Sequence, residues 1–433
     1  MKKIIALILV LVMVLSCAGC SFLEKFADDY NTNSQSEQPD KPENDPNTQG
    51  AAGGNTQQVY TGDLDEQLIA YLENTAGYDK QNYVFSPLSF KYAVTLATYG
   101  ANGATQEELL DAMGYKSMSE NLAWAHNFNE FLDKFAQDAE DDLKQEQKWN
   151  EDATEVNRKL LVGNSIWHNI NQAGIIKQDY IDYADEHFGA QAFNIPGKEI
   201  KDKVNEWVDK QTNGLIPSLF AQSQEDRNTI LINTLYLKAP WTYAFSDHST
   251  KQKTFHGLNG DKQADFMNNQ AKYSYYSDKN SEMVTLPLEG GLSCTFVMGD
   301  SSNLFDKVEQ SKAELLNLSM PKFEIESSFD KKELMSFLIA KGAVTAFNPD
   351  AADYSNLIKD AQIHITDIVQ KAKFISNEDG IEAAAVTALM MDMNTAINPT
   401  EPINVIFDKP FKFFVYTDDT HEMLFCGNYC NVE

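Results

Sequence analysis

The chain carries none of the motifs that mark the common enzyme classes. There is no G-x-S-x-G, no H-E-x-x-H and no P-loop, and no C-x-x-C beyond the leader. The seven histidines show no ligand spacing, so neither a metal ion nor a cofactor is expected. Positive charge is scarce: 35 Lys and Arg stand against 64 Asp and Glu, a net charge of −29. Such a surface repels phosphate backbones, which excludes nucleic acid as a partner. Cysteine is sparse too, with five in 433 residues. Cys294, Cys426 and Cys430 are expected as free core thiols, and an exported chain leaves one disulfide open. Internal repeats and a second linker are absent.

What is present begins with an export signal over residues 1–20. Lys2 and Lys3 precede an apolar run, Ile4 to Leu15, too short to span a bilayer. Small residues then end at a cysteine, as in a bacterial lipobox. Cys20, after Ala18-Gly19, is the expected lipidated N-terminus, with Cys17 the alternative and simple signal cleavage the other outcome. Residues 21–58 read as a disordered tether, because 31–58 hold almost nothing apolar to bury. From Val59 to Glu433 the composition is that of one folded domain. With 42% hydrophobic residues, the chain can build a large core. Expected localisation is a cell-surface lipoprotein or a secreted protein.

One stretch organises the domain. An apolar alternating segment, Ile363 to Val369, leads through an acidic turn to Gly380 and then to Ile381-Glu382-Ala383-Ala384-Ala385-Val386-Thr387-Ala388. Local propensity reads the alanine run as a helix. A period of two gives it two faces instead. Ile381, Ala383, Ala385, Thr387 and Leu389 share one side without a charge, and Glu382 lies on the other. A segment that slides between two strands needs that pattern, since burying an unpaired charge is costly. Glycine before it supplies a free hinge.

The remaining blocks decide between the two. Ser86 and Pro87 form a helix start, and Thr105 to Glu108 reads as a capping box closed by Gly114. Val204, Trp207 and Val208 share a helix face that ends at Thr212-Asn213-Gly214. Thr229 to Lys238 is strand-like, with Trp241 and Phe245 after it. Met320 to Glu326 is a strand, and Asp330 to Glu333 a second capping box. Phe407 to Tyr416 and Leu424 to Gly427 form a terminal strand pair. These blocks, in this order, resemble the serpins from about residue 60 to 430. The resemblance implies an α+β fold: three β-sheets, about eight to nine helices and an exposed reactive-centre loop.

In that family a cleaved loop inserts into the main sheet while the target protease is held as an acyl-enzyme. The resemblance therefore implies a monomeric suicide inhibitor of serine proteases, itself no enzyme, whose native state is metastable. A serpin-fold binding protein that does not inhibit is the alternative. The hinge would comprise Glu378, Gly380, Ile381, Ala383, Ala384, Ala385 and Thr387. The region where the sheet opens would hold Ser86, Ser89, Asn233, Trp241 and Gln370. Gln370 stands where the family has histidine, which removes a histidine's pH sensitivity. Ile381 stands where threonine, serine or valine is usual, so slower insertion is expected.

Counting from Gly380 puts the reactive bond at Asn394-Thr395, in a window with Met391, Asp392, Met393, Ala396 and Ile397; counting from Pro410 puts it nearer Pro399-Thr400. No Lys or Arg lies between Lys373 and Lys409, so a trypsin-like target is not expected. Elastase-like or chymotrypsin-like enzymes are preferred. Subtilisin-like and some cysteine proteases are alternatives.

Overall fold

The computed structural model describes residues 63–359, 361–382 and 401–433. Eight α-helices are described: α1 (Leu64–Asn74), α2 (Pro87–Gly100), α3 (Gly103–Met113), α4 (Met118–Glu146), α5 (Gln178–Phe188), α6 (Gly197–Gln211), α7 (Leu304–Gln310) and α8 (Leu334–Ala340). The strands are β1 (Tyr83–Phe85), β2 (Lys159–Asn169), β3 (Gln191–Ile195), β4 (Thr229–Pro240), β5 (Lys251–Gly257), β6 (Gly260–Ser277), β7 (Ser281–Leu288), β8 (Leu292–Gly299), β9 (Lys312–Pro321), β10 (Phe323–Phe329), β11 (Ile365–Ser376), β12 (Gly380–Ile381), β13 (Ile403–Ile406), β14 (Phe411–Thr417) and β15 (Met423–Tyr429).

Three of the eight described helices, α1, α2 and α4, open on a side-chain oxygen. Asp63 accepts from the Glu66 amide to open α1. Ser86 accepts from the Ser89 amide to open α2, with Pro87 in the first turn. The capping box expected at Thr105 is not one. α3 begins two residues earlier, at Gly103, behind Asn102. Thr105 is buried and its hydroxyl accepts instead from the Asp353 amide, while Glu108 takes the Thr345 amide and hydroxyl. Tertiary contacts from a distant loop thus claim both groups. At the second box, Glu333 does return to the Asp330 amide, but Asp330 accepts from Lys332, one residue earlier than a box requires.

Strand order in the six-stranded sheet is β10-β11-β12-β4-β2-β3, with β11 also pairing β4 directly. Alternation sends Leu231, Leu235 and Leu237 of β4 and Ala372 and Phe374 of β11 into the main core. Ile230, Ile232 and Val369 point to the other face. There Ile200, Val204, Trp207 and Val208 of the amphipathic α6 cover them. The main core lies between this sheet and a nine-stranded one, with α2 packed against β4, β2 and β15.

The 18-residue strand β6 joins two groups of strands into that nine-stranded sheet. Its early residues pair with β5 and β9, and Ser274–Ser277 pair with β7, which continues through β8, β14 and β15 to β1. Three strand groups are therefore present, two of them fused through one strand.

Phe374 ties the six-stranded sheet to the other. Its ring lies 4.5 Å from that of Phe413 in β14 and 5.9 Å from that of Phe425 in β15. Phe374→Ala should cost about 3–5 kcal/mol, read as a lower urea midpoint. A loss below about 1 kcal/mol would contradict this packing.

Candidate functional site

β4 and β11 run parallel and pair only over Thr229–Asn233 against Ile365–Gln370. Past that point no ladder between them is described. The next five residues of each strand, Thr234–Lys238 and Lys371–Ile375, flank a gap. Among the described residues these two stretches are laddered only on their far sides, by β2 for β4 and by β10 for β11. The open end of the gap is plugged by β12, where Gly380 pairs with Pro240, and Ile381 pairs with both Ala239 and Ser376. Ile381 is 1% exposed, facing the core between the two strands.

The closed end of the gap is a buried polar cluster. Gln370 donates from Nε2 to the Asn233 side chain at 2.9 Å and to the Ser86 carbonyl at 2.9 Å. Its Oε1 accepts from the Ser86 amide at 2.8 Å. One neutral side chain thereby pins β11 to β4 and to the start of α2. Ser89 contributes its amide, to Ser86 Oγ. Among the described residues the Ser89 hydroxyl, Asn233 Nδ2, Thr234 Oγ1 and both side-chain polar atoms of Asn164 are buried without a hydrogen-bond partner. The parted sheet thus leaves unsatisfied polar groups where its strands diverge, a costly state.

At the open end the turn between β11 and β12 is tied from several sides. Trp241 donates from Nε1 to the Asn377 carbonyl and from its backbone to the Asp379 carbonyl, each at 2.9 Å. The Phe245 amide binds the Glu378 carbonyl. Asn377 Oδ1 accepts from the amides of Asp379 and Gly380. Gly380 is required by contact: a Cβ there would stand 2.2 Å from the Ala239 carbonyl oxygen.

Glu378 is almost fully buried and is gripped by Lys322 Nζ at 2.6 Å and the Thr250 hydroxyl at 2.6 Å. Burial pushes its carboxyl up, but these two bonds together hold it below the usual range. Lys322 and Thr250 carry no local signal in the sequence, since they lie 56 and 128 residues from Glu378. They are found only when the fold assembles.

The described residues end within the hinge. Ala383, Ala384, Ala385 and Thr387, the bond at Asn394 and Thr395 and its window, and the leader cysteines Cys17 and Cys20 lie outside them. Cys294, Cys426 and Cys430 are buried free thiols. Among the described residues no group of His, Cys, Asp and Glu gathers as a metal site, and no helix is long and apolar enough to cross a membrane.

The family model "Serpin (serine protease inhibitor)" matches residues 67–432. A serpin-like protein of the archaeon Thermococcus kodakarensis is 26% identical over 370 residues, 82% of this chain and 81% of that protein. Among solved structures, Serpin48 of the insect Tenebrio molitor is 25% identical, with a TM-score of 0.64 over 84% of this chain and 95% of its own. Human thyroxine-binding globulin in complex with thyroxine is 20% identical, with a TM-score of 0.69 over 85% of this chain and 96% of its own, a likeness of fold.

Two substitutions test the hinge geometry. Glu378→Gln should lower stability by about 1–3 kcal/mol near neutral pH. Because its folded value is depressed, the Glu378 contribution is present above the ordinary value of 4.5 and fades as pH falls through the folded value. The mutant and parent urea midpoints should therefore converge in acid, and a gap that stays constant down to pH ~3 would contradict the pairing. Gly380→Ala should expel β12 from the gap, seen as faster amide exchange at Ile381; unchanged exchange would contradict the close approach.

Proposed function

The chain belongs to the serpin family, and from that premise we propose that it inhibits serine proteases by offering a bait bond and then inserting its cleaved loop between β4 and β11. The observation that carries this reading is the gap itself, already plugged at its open end by Ile381. Serine proteases proceed through an acyl-enzyme that water later hydrolyses. Insertion must outrun that water. A new central strand would gain ladder bonds on both edges, at about 1 kcal/mol net each. With side-chain burial the release is on the order of 10 kcal/mol, enough to drag and distort the bound protease.

Register explains why the hinge is built of small residues. β12 runs antiparallel to β4, so each step along the hinge moves one step back along β4. Ala383 would come level with Leu237, and Ala385 with Leu235, both core-facing. Thr387 would come level with Asn233, where Gln370 now bonds β4 to β11. Insertion beyond Val386 thus requires that bond to open, and the inward polar residue arrives where polar groups lack partners.

Between Lys373 and Lys409 the chain has no basic residue, so the target pocket is apolar rather than acidic. An elastase-like or chymotrypsin-like enzyme, attacking near Asn394-Thr395, fits best; subtilisin-like and cysteine proteases are the alternatives. The inhibitor would act as an exported monomer, anchored through lipid on Cys20 (or Cys17) or released, without cofactor and without catalysis of its own. The second reading, a non-inhibitory binding protein, draws on the fold shared with thyroxine-binding globulin. The absence of proline and of inward charge from the hinge favours inhibition.

Incubation of the mature chain with elastase, resolved on an SDS gel, should give a complex that survives boiling and release a peptide beginning near Thr395. Ala385→Arg would bury an unpaired charge against Leu235. That variant should be cleaved without forming a complex. Clean cleavage of the parent chain by elastase, chymotrypsin and subtilisin alike, with no complex, would overturn inhibition in favour of the binding reading.

A further inference from the structure

Glu382 closes the described part of the hinge, and its geometry is unusual. Its amide still belongs to the sheet, donating to the Ile375 carbonyl at 3.0 Å. Its φ is +46°, a left-handed conformation uncommon for a residue with a Cβ. The strand is therefore turned aside at this residue. The carboxyl lies half-buried beside the Tyr236 hydroxyl, with Oε2 buried and, among the described residues, without a hydrogen-bond partner.

Register shows what that position means. In an extended strand Glu382 would stand opposite Lys238, and Ala384 opposite Tyr236 on the same face. The Glu382 side chain thus engages Tyr236, the residue that would face Ala384 on insertion. Extension needs φ to leave the left-handed region, and the same rotation carries the carboxyl toward Lys238. Backbone bend and side-chain position are one switch.

We propose, resting on the insertion reading above, that Glu382 is a proton-operated latch: its neutral carboxyl beside Tyr236 holds the hinge at Ile381, and its ionised form leaves that half-buried site for the position opposite Lys238 and lets the strand extend. The proton goes to bulk solvent. The groups facing this carboxyl are Tyr236 and Lys238 from β4 and Lys373 from β11; Lys373 is itself paired with Glu324 of β10 at 2.6 Å. Lys159 of β2 stands across from Lys238, and Glu155, before β2, acts on Tyr236. Asn213, after α6, donates to the Tyr236 hydroxyl at 3.5 Å.

In the latched position burial raises the carboxyl to about 7, against the lowering pull of Tyr236, Lys238 and Lys373. Out of the gap and opposite lysine, it returns to the ordinary carboxylate range or below. The latched state therefore holds a proton that the extended state does not. By linkage, latching is favoured below pH 7 and extension is favoured as pH rises through it. Gln370 at the other end of the gap does not titrate, so this dependence is separable from the closed end.

The test follows insertion after loop cleavage, using the full mature chain and saturating subtilisin. The limiting rate is read by tryptophan fluorescence, cleavage by SDS gel, and the end point by the rise in Tm. The parent rate should climb about tenfold from pH 6 to pH 8. Glu382→Gln should be slow and flat across that range, and Glu382→Ala fast and flat. Tyr236→Phe, which loses the hydroxyl that favours the carboxylate, should move the midpoint upward. A parent rate that is flat with pH while Tm still rises would overturn the latch and leave the insertion reading standing. Cleavage without any rise in Tm at any pH would overturn the insertion reading, and the latch with it.

Discussion

Backbone N–H and C=O groups of a sheet interior require partners, and the facing edges of β4 and β11 have parted. Thr234–Lys238 and Lys371–Ile375 share no ladder, although both strands are paired on their far sides. The surrounding structure is arranged about this deficit. Gln370 and Asn233 stop the parting from running further. Trp241, Phe245 and Glu378 hold the turn that brings Gly380 and Ile381 between the two strands. α6 covers one face of the sheet and the main core the other.

The two ends of the gap differ chemically. The closed end is neutral: serine, asparagine and glutamine meet there, and none titrates near neutral pH. The open end is charged, with Glu378 fixed by Lys322 and Glu382 lying among Tyr236, Lys238 and Lys373. Sensitivity to protons that a histidine would bring to the closed end is thereby displaced to the hinge itself. Ile381, bulkier than the residues usual at that position in the family, seals the plug with a fully buried side chain.

Much of this was legible in the chain, because local chemistry decides local structure. Asp63 and Ser86 cap the helices they precede, Gly214 ends α6, and the β-branched run from Thr229 forms β4. Gly380 falls where the backbone needs it. What the chain did not reveal depends on distance. Thr105 and Glu108 have the spacing of a capping box, yet loops more than 200 residues away claim both side chains. Lys322 looks like an ordinary charge at a strand start until the fold sets it against Glu378. Glu382 reads as a charge on the side opposite the inward row, and nothing local announces the bend at its backbone or its place beside Tyr236. The fusion of two strand groups through β6 follows from the length of one strand across both, which periodicity alone does not announce.

Amide exchange over Thr234–Lys238 and Lys371–Ile375, before and after cleavage of the loop, tests the central claim most directly. With the gap as the seat of insertion, these amides exchange as open edges in the intact chain and become at least about a hundredfold slower after cleavage. Equal exchange in the two states, with the loop demonstrably cut, would contradict the account at its root.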